Sequence, residues 1–236
     1  MLESNPQFRP RIPDPGLWLI AGPEMLTLTD HVGDFAALAA QWDDLPADPY
    51  LTDERPFRFR RHAQLVFDAD ADEVTILPPG DYLQAAENNA LFGGVPRRFA
   101  PVEWAPAARR LLTSLVRASV VQVLQLPGRS LINLHQVRIV GGPHYAGTPV
   151  PEGRHRDGFD FISIHLIGRD VDGGGETTLI SDDGHTIAAT LAEPMDALYA
   201  DDRRFSHDTT PIVGNGRMVR RDVLLMSYER SGTERS

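Results

Sequence analysis

Apolar and polar positions divide the chain into two halves of different rhythm. Leu-Trp-Leu-Ile at 17–20 is a short apolar run and predicts a strand. From Asp30 to Asp44, Val32, Phe35, Leu38, Ala39 and Trp42 recur at three- and four-residue spacings, which predicts a helix. Leu-Pro-Ala-Asp-Pro-Tyr then stops it. Partial alternation over 58–67, a polar Asp-Ala-Asp-Ala-Asp stretch at 68–72 and an apolar run at 73–77 predict a hairpin. The Gly- and Pro-rich stretch that follows is irregular, with room for a helix at 81–91. After Pro106 a stripe of Leu111, Leu112, Leu115, Val116, Ser119 and Val123 predicts a helix to about residue 125.

The second half is a series of short apolar stretches: 131–140, 159–167, 177–181, 185–191, 195–200, 209–213 and 218–228. Gly, Asp and Pro turn signals separate them. This spacing predicts an antiparallel sandwich or barrel and not alternating β and α units. Gly214-Asn-Gly216, between two such stretches, reads as a hairpin turn. No internal repeat and no linker divides the sequence. One domain is therefore expected over 1–236: a loose arm at 1–16, mixed helix and strand support over 17–128, and a β core over 129–230. The class is mainly β with flanking α-helices.

Composition narrows the chemistry. The 236 residues carry 33 acidic and 23 basic side chains, a net charge of -10. Such a field disfavours nucleic acid and anionic membrane as partners. No apolar run approaches the roughly 18–20 residues that cross a bilayer, and residues 1–16 lack a signal-peptide core, so a soluble cytoplasmic protein is expected. Cysteine is absent, which excludes disulfides, Fe–S clusters, thiolate zinc and a cysteine nucleophile. Every basic residue other than histidine is arginine. Lysine chemistry is thereby excluded, and any fixed positive charge in a site is a guanidinium.

A metal must then be held by His, Asp or Glu. In Glu152-Gly-Arg-His155-Arg-Asp157-Gly158, His155 and Asp157 are two apart, so on an extended chain both side chains project to one side. Chance alone accounts for one His-x-Asp pair in a sequence with eight His. Its context adds weight: it opens a strand-like run, a glycine follows, and His207 lies between two later strand-like runs. Two imidazoles and a carboxylate on one face leave open positions on an octahedral ion, the arrangement of non-haem Fe(II) oxygenases.

Four segments carry a wider likeness. These are Glu152–Gly158; Ile167-Gly-Arg-Asp-Val-Asp-Gly-Gly174; Ala200-Asp-Asp-Arg-Arg-Phe-Ser-His207-Asp-Thr-Thr-Pro-Ile212; and Arg221-Asp-Val-Leu-Leu225. Weaker matches are Arg58-Phe-Arg-Arg61, Gln84 with Asn88 or Asn89, Gly93-Gly94 with Arg97, and His135-Gln-Val-Arg138. Over about residues 50–228 the chain resembles a bacterial 2-oxoglutarate/Fe(II)-dependent dioxygenase family, the one that includes L-isoleucine 4-hydroxylase and related free amino-acid hydroxylases. The resemblance implies a double-stranded β-helix (a jelly roll, cupin-like) with Fe(II) held by His155, Asp157 and His207. It implies 2-oxoglutarate and O2 as co-substrates, succinate and CO2 as products, and hydroxylation of an aliphatic C–H bond in a small molecule such as an amino acid. Asp157 is a carboxylate, whereas a halogenase of this superfamily has a small residue at that place.

The distal carboxylate of 2-oxoglutarate needs an anchor, and a last-strand arginine suits it. Arg217, Arg220 and Arg221 compete. Arg217 and Arg221 would share a face, and the family's Arg-Asp-Val-Leu pattern favours Arg221. For an amino-acid substrate Arg138 is a candidate cation, with Gln136 on the same strand face, and Glu152 a candidate anion. Arg138 could equally pair with a neighbouring acid, and Glu152 could cap the turn. His135 and His165 read as hydrogen-bonded residues inside strands; His31, His62, His144 and His185 read as surface or turn residues. Gly173–Gly175 reads as a bend between strands, with no phosphate-loop context. Two other readings keep the three ligands: a cupin-like metal-binding sensor without turnover, and a zinc-dependent enzyme. Neither needs the arginine anchor.

Overall fold

The computed structural model describes residues 11–51 and 55–230. Among these residues twelve strands form two sheets. In chain order they are β1 (Arg11–Asp14), β2 (Leu17–Ile20), β3 (Arg58–Asp68), β4 (Glu73–Ile76), β5 (Ala100–Pro101), β6 (Arg129–Gly141), β7 (Phe161–Asp170), β8 (Thr177–Ser181), β9 (Thr186–Ala189), β10 (Ala197–Asp201), β11 (Phe205–Thr209) and β12 (Val219–Arg230). The large sheet runs β1-β2-β10-β7-β12-β6-β3-β4, and β5 lies parallel beside β3. The small sheet runs β11-β8-β9. Every other pairing is antiparallel. Two antiparallel sheets face to face, with the chain passing between them, make the jelly roll that the resemblance implied.

Each face of the large sheet buries a different set of residues. Ile132 and Leu134 of β6 and Leu224 and Met226 of β12 pack with Leu111, Leu112, Leu115 and Val116 of the helix Pro106–Ala118. Pro106 sits in the first turn of that helix, where a missing N–H costs nothing. Trp42 closes the same layer, its indole N–H donating 3.1 Å to the Val137 carbonyl. On the opposite face Val137, Ile139, Ile164 and Val223 pack against Leu179, Phe205 and Ile212 of the small-sheet side. That second layer opens at one end into the cavity described below.

Several expectations need correction. The loose arm ends by Arg11, because Arg11–Asp14 pairs with β2; residues 1–10 lie outside the described ones. The helix at 30–44 is broken into a 3-10 turn (Val32–Asp34), a short α-helix (Phe35–Ala39) and a second 3-10 turn (Ala40–Asp44), with Leu38 and Trp42 buried. Residues 81–91 form turns, with Tyr82 bridged to Arg97, and not a helix. The helix after Pro106 finishes as a π turn over Ser119–Val123. The strand expected at 209–213 lies earlier, at Phe205–Thr209, where Thr177 and Thr209 pair. Gly214–Gly216 is thus no hairpin: it carries the chain from the small-sheet side to β12 in the large sheet. Among the described residues no helix is long and apolar enough to cross a membrane.

Candidate metal and co-substrate site

His155 and His207 meet as a cross-strand pair. The His155 N–H donates to the His207 carbonyl at 3.1 Å, and the His207 N–H returns the bond at 2.8 Å. Their rings lie 4.5 Å apart between centroids. Asp157, two residues on, projects to the same side. Its Oδ1 is 3.4 Å from His155 Nε2 and its Oδ2 3.8 Å from His207 Nε2. One donor atom from each residue falls within 4.8 Å of the other two. His207 is in the middle of β11, not between strands as expected, and that placement sets it opposite His155.

The local chemistry suits a divalent ion. His155 Nδ1 is 3.0 Å from the Gly153 carbonyl. A carbonyl only accepts, so the proton sits on Nδ1 and Nε2 is left as a ligand. Burial opposes charge on His155, but the adjoining Asp157 carboxylate outweighs it and raises the imidazole to about 9. Burial likewise opposes charge on Asp157, yet contact with His155 and then the His207 ring hold it down to about 2. Burial lowers His207 to about 4. The three groups therefore form a charged pair beside a neutral imidazole, and a divalent cation would take the place of the shared proton.

Two side chains hold Asp157 from behind. Asp202 accepts three successive backbone N–H bonds, from Asp157 (3.1 Å), Gly158 (2.6 Å) and Phe159 (3.0 Å). The Gln84 amide donates 2.8 Å to Asp157 Oδ1. Gly158 turns the chain with φ of +85°, and a Cβ there would collide with the Asn88 amide. Asn88 also belongs to the segment expected as a helix; as a turn it closes over the ligand loop.

The triad lies on a cavity with Arg221, Glu152, Arg58, Arg60, Arg97 and His135 among its polar walls, and Val137, Ile139, Ile164 and Leu225 among its apolar ones. The space free of atoms, open mouth included, is about 870 Å3. Arg221 is 2% exposed, and its Nε and Nη2 have no hydrogen-bond partner. Burial, and then Arg169 nearby, lower it to about 10. A buried cation without a counter-ion is costly, and an incoming carboxylate would offset that cost bidentately.

The other candidates fall elsewhere. Arg217 precedes β12 and is paired outside the cavity with Asp170 and Asp172, both at 2.8 Å. Arg220 points outward, 3.7 Å from Asp43. Arg138 and Gln136 share a strand face as expected, but it is the face toward the helices. Arg138 grips Asp222 at 2.7 and 2.9 Å and Asp43 at 3.0 Å. Gln136 is fully buried and donates 2.7 Å to Gln41. Both are withdrawn as substrate contacts. Glu152 does line the cavity. Its Oε1 accepts from Asn89 at 3.3 Å, and its Oε2 is buried without a partner. His62, expected at the surface, is 4% exposed within β3 and stacks on His135 at 4.5 Å. Sequence reasoning assigned no role to Gln84, Arg58, Arg60 or Arg97, although all fell inside the weaker family matches. It also passed over Asp202.

A family model described as 2OG-Fe dioxygenase matches residues 39–227. No curated protein matches the chain in sequence. Among solved structures, a bsmA homologue from Methylobium petroleophilum PM1 is 28% identical with a TM-score of 0.78, covering 93% of this chain and 90% of its own. IDO from Bacillus thuringiensis is 18% identical with a TM-score of 0.72, over 92% of this chain and 94% of its own. The Fe(II)/(alpha)ketoglutarate-dependent dioxygenase TqaL is 20% identical with a TM-score of 0.63, over 93% and 86%. The last two, at their low identity, speak for the fold alone.

Proposed function

The chain belongs to the 2OG-Fe dioxygenase family, and from that premise we propose that it hydroxylates an aliphatic C–H bond of a free amino acid or a similar small molecule. The family uses Fe(II), 2-oxoglutarate and O2. In our reading His155, Asp157 and His207 hold the iron, and Arg221 holds the distal carboxylate of 2-oxoglutarate. Iron, when bound, supplies the activation of O2 that oxidises 2-oxoglutarate to succinate and CO2 and the substrate to its alcohol.

The protein's own part is placement. The His155–Gly153 bond fixes which imidazole nitrogen faces the ion. Gln84 and Asp202 hold the carboxylate side. The apolar wall of Val137, Ile139, Ile164 and Leu225 keeps water from the reacting carbon and suits an aliphatic chain. Arg217, once a second candidate anchor, is engaged by two aspartates and plays no part.

The observation that carries the proposal is Arg221: a buried guanidinium with unpaired N–H groups, on one cavity with the triad. A sensor or a zinc enzyme has no use for it. Anaerobic Fe(II) with 2-oxoglutarate should give a weak visible charge-transfer band, and His155→Ala or Asp157→Ala should abolish both the band and succinate release. Arg221→Gln should raise the half-saturating 2-oxoglutarate concentration about 10- to 100-fold, the range for a charge-assisted bidentate contact. Arg217→Gln should leave it unchanged. Equal effects of the two substitutions would refute the anchor, and full turnover in either triad variant would refute the ligand set.

A further inference from the structure

Arg221 is not alone as a buried cation on the cavity. Arg58, Arg60 and Arg97 also line it and are 5%, 7% and 2% exposed. Each keeps one guanidinium nitrogen without a partner: Nη2 of Arg58, Nε of Arg60 and Nε of Arg97. Among the described residues only Asp48 forms ion pairs with them, 2.8 Å from Arg58 and 3.6 Å from Arg60. Arg97 spends one nitrogen on the neutral Gln84 amide at 2.6 Å. Three cations thus share one ion-paired carboxylate, with the charge of Glu152 acting on Arg97 from further off.

Aromatic rings hold these cations in place without neutralising them. Arg60 lies 4.0 Å from the Phe99 centroid, and Arg97 lies 5.1 and 5.0 Å from those of Tyr82 and Phe92. Such stacking orients a guanidinium plane and leaves its N–H edge free. His135 adds a further donor. Its Nδ1 is 2.8 Å from Arg60 Nη2. Arginine only donates, so that nitrogen accepts and the ring proton sits on Nε2, which has no partner. Burial, and then Arg60, keep His135 neutral. The result is four unused donors, on four cavity-lining side chains that are each nine-tenths buried or more. Buried donors are seldom left unpaired in a native protein, and these match the oxygens of an anion.

We propose that Arg58, Arg60, Arg97 and His135 form a second anion subsite, separate from Arg221, which binds the carboxylate of the substrate, and that Glu152 receives the substrate's ammonium. The inference rests on the proposed function in one respect: the ligand is the small molecule positioned beside the triad. It narrows that reading to an aliphatic acid, preferably an α-amino acid, whose charged end sits on this cluster and whose chain lies on the apolar wall. The cluster takes the role that Arg138 cannot fill.

Binding can be read directly. The full chain, metal-free and in parallel loaded anaerobically with Fe(II) and 2-oxoglutarate, is titrated calorimetrically with aliphatic L-α-amino acids, their des-amino acids and the matched primary carboxamides. At least one acid should bind, and its carboxamide should bind at least tenfold more weakly. Arg97→Gln and Arg60→Gln should each weaken the acid tenfold or more, and Arg97→Lys should recover part of the loss. Glu152→Gln should weaken amino acids but not des-amino acids. Arg138→Gln, on the opposite face of β6, should change nothing. Circular dichroism checks the folding of each variant, and the acid–carboxamide comparison on the unaltered chain stands without them. Equal binding of acid and carboxamide, no acid binding to either form, or displacement of the acid by excess 2-oxoglutarate would overturn the proposal. The metal-free arm needs no chemistry, so a chain that fails to release succinate defeats the dioxygenase reading and leaves this result intact.

Discussion

Arg221 reaches the cavity past Gly175, and the space it uses is the space of a missing side chain. Gly175 has φ of +71°, and a Cβ there would stand 3.1 Å from Arg221 Cδ and 3.2 Å from Arg169 Nη1. Gly184 has φ of +84° with nothing within 4 Å of such a Cβ. The two glycines separate backbone strain from crowding. Alanine at either position should cost about 1–2 kcal/mol of stability through the left-handed backbone. Only Gly175→Ala should also push the guanidinium, so only it should raise the 2-oxoglutarate requirement several-fold, as read from succinate release against co-substrate concentration. Matching half-saturation in the two variants would mean that Gly175 serves the turn alone. The sequence reading of Gly173–Gly175 as a bend caught the turn; the neighbour that needs the room is forty-six residues away in sequence and could not be read.

Among the elements, β6 separates what was legible from what was not. Its existence and its length were plain from 131–140. The face each residue takes was not, because both faces are covered, by helices on one side and by the cavity on the other. Leu134 to Val137 are all buried, so burial gives no alternation to read. The ion pair of Arg138 with Asp222, its register partner on β12, fixes the parity. That parity sends His135, Val137 and Ile139 to the cavity. The three candidate ligands were legible for the opposite reason: His155 and Asp157 are close in sequence, and His207 needed only one strand pairing to join them. The loop that carries Asp157 depends on the end of β10, through the three bonds that Asp202 accepts. Asp202→Ala should therefore weaken Fe(II) binding about 10- to 100-fold, the usual cost of losing a partner behind a ligand. Asp202→Asn, which keeps one acceptor oxygen, should fall between. A competitive metal titration measures this, and unchanged affinity in Asp202→Ala would show that the loop holds its shape unaided.

For the molecule as a whole, buried imidazoles link stability to pH. A mainly antiparallel β core could be anticipated from turn signals, but how two sheets close over polar side chains could not. His62, His135 and His165 are all buried in strands of the large sheet. Burial, then the Arg60 charge, lowers His62 from 6.5 to about 4. Burial alone lowers His165 to about 3, and burial with Arg60 takes His135 well below 6.5. Unfolded, each takes a proton as pH drops through 6.5; folded, each refuses it until near its own lower value. Between those limits the unfolded chain holds more protons, so stability falls as pH falls. His207, lowered to about 4, adds to this in the iron-free chain. Asp202 opposes it: burial, and then Asp157, raise its carboxyl from 3.8 to about 7, so the folded form keeps that proton. His155, raised to about 9, also keeps its proton in the folded form and opposes the trend near pH 6.5, but one carboxyl and one imidazole against four lowered imidazoles leave the four in control. The melting temperature of the iron-free chain should therefore drop from pH 6.5 to pH 4.5. His165 is the clean test, because no charge shifts it and it lies off the cavity, its Nε2 3.1 Å from Ser163 Oγ. His165→Gln removes one proton from the balance and should flatten the slope by up to about 1.4 kcal/mol per pH unit. Denaturant unfolding at several pH values reads that slope for both chains; parallel lines would show that His165 charges freely in the folded protein and that acid sensitivity arises elsewhere.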